Sequence, residues 1–142
     1  MTHSALHSGQ SGAHDSARRQ AMKVALVAVA GALGALTRYG IGSTVGARDF
    51  PWVTLSINLA GSLALGLVLR FGELRGWSDL ATVALGVGFL GAFTTFSTFS
   101  VETQTMLRDG RTAAAAAYVG ASLVGGVALA ALGYVVAGSR AA

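Results

Sequence analysis

Charge vanishes from this chain in long blocks. Between Lys23 and Arg70 only Arg38, Arg48 and Asp49 carry charge. Four apolar runs result: Val24–Val45, Trp52–Leu69, Leu80 to about Leu107, and Thr112–Ala137. Each is long enough for the roughly 17–25 residues with which a helix crosses a bilayer core. In hydrocarbon a backbone must satisfy its own hydrogen bonds, so such runs take helical form. Only 11% of the residues are charged, against about 25% in a soluble domain. The chain is therefore expected to be an all-α membrane protein with four transmembrane helices. The expected division is a disordered tail over 1–21, a transmembrane domain over 22–138 and a C-terminal tail over 139–142.

The remaining charge narrows the function classes. The net charge is +4 and the pI near 10.4, but the basic residues are scattered at span ends, as flanking residues of membrane segments are. No basic stripe exists to follow a phosphate backbone, so no nucleic-acid partner is expected. Cysteine is absent, which excludes disulfides and thiol chemistry. The spans hold no histidine, aspartate or cysteine, so no enzyme site is expected. His3, His7 and His14 fall in the tail at irregular spacing, without the convergence a metal site needs. Arg18 and Arg19 before the first run imitate a twin-arginine export signal. That run is longer than a signal's apolar region, which favours a retained helix.

Polar residues inside the spans carry the functional information. In the first span Gly31, Gly34, Gly42 and Gly46 have the spacing that lets helices pack closely. Arg38 lies well inside that span and either snorkels or pairs within the protein. Pro51 opens the second span and Trp52 suits the headgroup level. Asn58 sits deeper, where an amide either joins two helices or lines a path. Tyr118 and Ser122 are polar interruptions in an Ala- and Gly-rich fourth span.

The third span departs furthest from a lipid-facing helix. Its stretch Gly88–Glu102 reads GFLGAFTTFSTFSVE, and from Thr94 it holds three threonines, two serines, two phenylalanines and a glutamate. Such groups at membrane depth face protein or a water-filled path. Gly86–Gly91 matches the G-x-G-x-x-G dinucleotide pattern, but that motif needs a preceding strand and a soluble helix. Close helix contact or a helix break explains these glycines better. A break near the middle is expected, because Thr and Ser side chains compete for backbone hydrogen bonds. Unwound backbone there would have to be enclosed or line a cavity, and could coordinate ions. Phe96 and Phe99 share a helical face, and Ser97, Thr98 and Glu102 could form a ladder of hydroxyls leading to a carboxylate.

Three blocks, GALGALTRYG (Gly31–Gly40), PWVTLSINLAGS (Pro51–Ser62) and GFLGAFTTFSTFSVE, make the chain resemble the small fluoride channels of the Fluc (CrcB-type) family over about residues 24–137. The resemblance implies an antiparallel, dual-topology dimer of four-helix subunits with two fluoride pores along the interface. Phe96 and Phe99 would present positive ring edges to the ion. Asn58, Ser97, Thr98, Glu102, Tyr118 and Ser122 would line the path, and Arg38 would face the vestibule. Backbone carbonyls of Gly91 and Thr94 from both subunits would hold a structural Na⁺ at the dimer centre. Where relatives often carry a further fourth-span serine, this chain has Gly126.

The implied activity is passive fluoride export across a prokaryotic plasma (inner) membrane, protecting against fluoride accumulated as HF. The partners are fluoride, lipid, and a second copy or a homologous subunit inserted the other way. Six basic residues (Arg18, Arg19, Lys23, Arg70, Arg75, Arg140) flank one side and four (Arg38, Arg48, Arg108, Arg111) the other. That weak bias under the positive-inside rule permits either assembly. Two rivals are a small proton-coupled multidrug transporter and a non-transporting membrane subunit. The first needs a carboxylate deep in the membrane, whereas Glu102 lies near a span end; the second leaves the hydroxyl run unexplained.

Overall fold

The computed structural model describes residues 4–45 and 49–139, and the side chains from residue 14 onward. His3, the His7 side chain, Gly46, Arg48 and Arg140 lie outside the described residues. The described residues form helices and no strands: α1 (Ser4–Thr44), α2 (Trp52–Arg75), α3 (Asp79–Val83), a π-helical segment (Ala84–Leu90), α4 (Gly91–Phe93), α5 (Phe96–Arg108) and α6 (Thr112–Ser139). Four stretches are long and apolar enough to span a membrane: His14–Thr44, Trp52–Arg75, Asp79–Arg108 and Thr112–Ser139. Helical backbone runs back from the first span to Ser4, and residues 14–20 there are exposed.

Local chemistry sets the helix ends. Pro51 stands just outside α2 as its N-cap, and its carbonyl accepts the Leu55 N–H at 3.1 Å. α2 stops at Gly76, which adopts φ 59°, ψ 41°; this left-handed cap costs glycine nothing. Ser78 then caps α3, its hydroxyl accepting the Ala81 N–H at 3.3 Å. An ion pair from Lys23 to Asp79 ties α1 to this start.

Glycines decide how close the helices come. A Cβ on Gly34 would lie 2.2 Å from the Phe89 carbonyl oxygen, and one on Gly88 2.8 Å from the Ala30 side chain. α1 therefore seats directly on the backbone of the π segment and α4. α2 and α6 pack in the same way: Gly66 meets the Ala130 carbonyl and Gly133 the Leu63 carbonyl, with added carbons at 2.1 and 2.3 Å. Small residues drive such association because lipid offers no hydrophobic gradient between helices. The expected packing role thus holds for Gly34, while Gly42 has no neighbour within 4 Å among the described residues. A buried cluster of Leu55, Phe99, Met106, Ala115 and Tyr118 joins α2, α5 and α6 at one end of the bundle.

Candidate functional site

The third span breaks where the sequence changes from glycine to hydroxyl residues. Gly91 sends its N–H to the Gly86 carbonyl, five residues back, the wide-turn pairing often found at functional sites. Two residues then leave the helix: Thr94 (φ −80°, ψ 159°) and Thr95 (φ −149°, ψ 109°) are extended. Thr94 keeps its ties to the preceding turn, donating from N and Oγ1 to the Leu90 carbonyl at 3.1 and 3.0 Å. Thr95 starts α5 as its N-cap, its hydroxyl accepting the Thr98 N–H at 3.3 Å.

Asn58 holds the break open. Its Oδ1 accepts the Thr95 N–H at 2.8 Å, and its Nδ2 donates to the Thr95 carbonyl at 3.1 Å. One side chain thereby replaces both helical partners of an extended residue at membrane depth, where unsatisfied backbone is most costly. The amide joins α2 to the broken third span, the packing alternative for Asn58, and the residue also borders a hollow. Arg38 of α1 adds a third support, donating from Nε to the Ala92 carbonyl at 3.2 Å.

Hydroxyls radiate from Thr95. Its Oγ1 donates to Thr98 Oγ1 at 2.9 Å and lies 3.3 Å from Ser97 Oγ. The expected ladder does not reach Glu102 along α5 itself. The Glu102 carboxylate is satisfied from other helices instead, by Thr54 Oγ1 at 2.8 Å and Tyr118 OH at 2.7 Å. Thr54 and Ser62 escaped the sequence reading. Both lie four residues from Asn58, on its own face of α2, and this spacing was the signal that could have found them.

Two hollows meet at Thr95. The larger, about 750 Å³, lies between α1, α2 and α5 and is lined by Arg38, Thr54, Thr98, Glu102 and Arg111 among others. The smaller, about 280 Å³, is lined by Asn58, Ser62, Thr94, Phe96, Phe99 and Ser122. Ser122 Oγ is fully buried there and has no hydrogen-bond partner among the described residues. The two phenylalanine rings lie 5.5 Å apart, yet their environments differ. Phe99 is 8% exposed and packs 5.1 Å from the Tyr118 ring, while Phe96 is 74% exposed. The smaller hollow is thus open along Phe96 in a single chain. Gly126 faces Ser62: a Cβ there would lie 3.6 Å from Ser62 Oγ.

The break also bears on the expected Na⁺. The Thr95 and Thr98 amides, which a continuous helix would send to the carbonyls of Gly91 and Thr94, go to Asn58 and to the Thr95 hydroxyl. Those two carbonyls are thereby released from helical pairing, and neutral oxygens of this kind suit a hard monovalent cation. The residues fit the ion.

A bundle of four membrane-length helices, with a clamped break and a polar seam at its centre, belongs to the class of small polytopic membrane proteins that build a site from discontinuous helices. The family described as "CrcB-like protein, Camphor Resistance (CrcB)" matches residues 25–134. This chain belongs to the CrcB family. It is 47% identical over 117 residues to a protein of Thermus thermophilus named fluoride-specific ion channel FluC, covering 80% of this chain and 94% of that one. It is 48% identical over 111 residues to the Bordetella petrii protein of the same name, covering 75% and 84%. The Hyphomonas neptunium protein so named is 47% identical over 108 residues, covering 72% and 84%.

Proposed function

We propose that the chain is a fluoride-selective passive ion channel and not an enzyme. One observation carries the reading: the break clamped by Asn58 sets an amide, hydroxyls and two phenylalanine rings around one hollow at membrane depth. Relatives at 47–48% identity named as fluoride-specific channels support it. Fluoride is small and strongly hydrated, so conduction needs donors that replace its water yet release it. Asn58 Nδ2, through the hydrogen not given to the Thr95 carbonyl, the Ser122 hydroxyl and the positive ring edges of Phe96 and Phe99 supply such contacts in this hollow. The Thr98 hydroxyl lies in the adjoining hollow and Ser97 beside Thr95. Glu102 and Tyr118 continue the polar track, and Arg38 faces the vestibule. A membrane potential negative inside drives the anion out with about 2.3 kcal/mol per charge per 100 mV.

The working unit is an antiparallel pair, formed with a second copy or an oppositely inserted homologue, in the inner membrane of a prokaryote. The openness of Phe96 supports this reading: its ring, 74% exposed and touching Phe99 within the chain, borders the polar hollow on the side that a second chain would close. The Gly91 and Thr94 carbonyls of both subunits would hold the Na⁺, which would supply a fixed positive potential when bound. Proteoliposomes given a K⁺ ionophore should lose fluoride and retain chloride. Proton-coupled efflux of a cationic dye without fluoride loss would replace this reading with the drug transporter. Phe96→Ile should abolish the flux in a protein that still elutes as a folded dimer, and undiminished flux would remove Phe96 from the path.

A further inference from the structure

The larger hollow ends at a mouth lined by two guanidiniums. At the other end of the bundle Lys23 pairs with Asp79, and Arg70 with Glu73 at 3.1 Å, while Arg18, Arg19 and Arg75 pair with no carboxylate among the described residues. The two guanidiniums lining the large hollow instead donate to neutral carbonyls: Arg38 Nε to Ala92 O at 3.2 Å, and Arg111 Nη2 to Asp49 O. Neither has a carboxylate within ion-pair distance among the described residues. A cation bonded to a carbonyl keeps its full charge toward the cavity, where one bonded to a carboxylate does not. Two acids also line this space. Glu102 lies deeper, with its oxygens engaged by Thr54 and Tyr118. Asp49 is exposed at the rim, and its carboxylate opposes the field of Arg111.

We infer that Arg111 is an anion-capturing residue: together with Arg38 it draws small inorganic anions from solution into the large hollow, ahead of the narrow path. The inference rests on the channel reading and assigns to that function a residue of the α5–α6 connection. Two carboxylates offset the two guanidiniums in formal charge, but Glu102 lies deep and is engaged by Thr54 and Tyr118, so the field at the mouth is set by Arg111 against Asp49. An unpaired cation at a cleft mouth concentrates counter-ions and raises capture rates, and the effect falls with ionic strength. Geometry supplies the alternative. Arg111 also pins Asp49, and Phe50 beside it packs edge-on against the Tyr118 ring at 5.6 Å. Arg111 as a mere staple of that turn would matter equally at every salt concentration.

Salt therefore separates the two roles. Initial fluoride efflux from proteoliposomes is measured with fluoride far below saturation, in potassium gluconate at about 10 mM and about 1 M, where the Debye length is about 30 Å and 3 Å. Arg111→Gln removes the charge while keeping a donor for the Asp49 carbonyl. Its rate should fall roughly three- to tenfold at low salt and converge on the unmodified rate at high salt. Arg111→Lys should stay within about twofold of the unmodified protein at both. Asp49→Asn, which keeps the carbonyl that Arg111 holds, should raise the low-salt rate. A loss in Arg111→Gln of equal size at both salt concentrations, or none at low salt, overturns the assignment. An unmodified protein that passes no fluoride would instead sink the channel reading itself.

Discussion

Substituting Gly61 tests whether the break is held by shape. Gly61 lies three residues after Asn58 on α2, against the extended segment. A Cβ at position 61 would sit 2.3 Å from Thr94 Cγ2 and 3.4 Å from Phe93 Cδ1. Carbon atoms rest at about 3.5–4.0 Å, so the first contact overlaps by more than an ångström. The Thr94 methyl cannot turn aside freely, because rotation would take Oγ1 off the Leu90 carbonyl, which it holds at 3.0 Å. Gly61→Ala must therefore push α2 away from the break, at about 1–3 kcal/mol for overpacking. The shift opens the Asn58–Thr95 bonds at 2.8 and 3.1 Å, so flux should fall with stability. Thr94→Ser removes only Cγ2 and keeps the hydroxyl. In the double variant most of the lost stability should return, a coupling of about 1–2 kcal/mol in a double-mutant cycle. Denaturation in mixed micelles measures the stability and fluoride efflux from liposomes the function. A Gly61→Ala protein as stable and as conductive as the unmodified one, or purely additive losses in the double variant, would refute the reasoning.

Asn58→Ala should lower stability by about 2–4 kcal/mol, since it strands a buried N–H and a carbonyl at Thr95, and should abolish flux in the same liposome assay. Tyr118→Phe deletes the 2.7 Å bond to Glu102 and should cost about 1.5–3 kcal/mol, as for a hydrogen bond to a charged group. Combined with Thr54→Val, the denaturation losses should be non-additive, because both hydroxyls serve one carboxylate. Gly133→Ala would set a carbon 2.3 Å from the Leu63 carbonyl oxygen and should destabilise markedly. Gly42→Ala, with nothing within 4 Å among the described residues, should be neutral or gain up to about 1 kcal/mol of helix propensity; equal melting of the two variants would count against the packing.

Sequence alone dictates the four helices, because a bilayer admits few backbone forms and a chain with so little charge over bilayer-length stretches has few places to go. It also located the break and the polar run, since hydroxyls and a carboxylate from Thr94 onward cannot face acyl chains at low cost. What it could not contain is the register of one helix against another. Phe96 and Phe99 look equivalent at spacing three, yet the extended residues 94 and 95 re-phase α5, leaving one ring open and burying the other on Tyr118. Glu102 points by sequence toward Thr98, but helix crossing hands it to Thr54 and Tyr118. Asn58 becomes a clamp and Arg111 reaches a shared mouth with Arg38 only through contacts between segments far apart in the chain. Hydropathy acts residue by residue and is legible in one dimension; partner choice depends on how glycine-lined helices seat against each other, and only the tertiary structure fixes that.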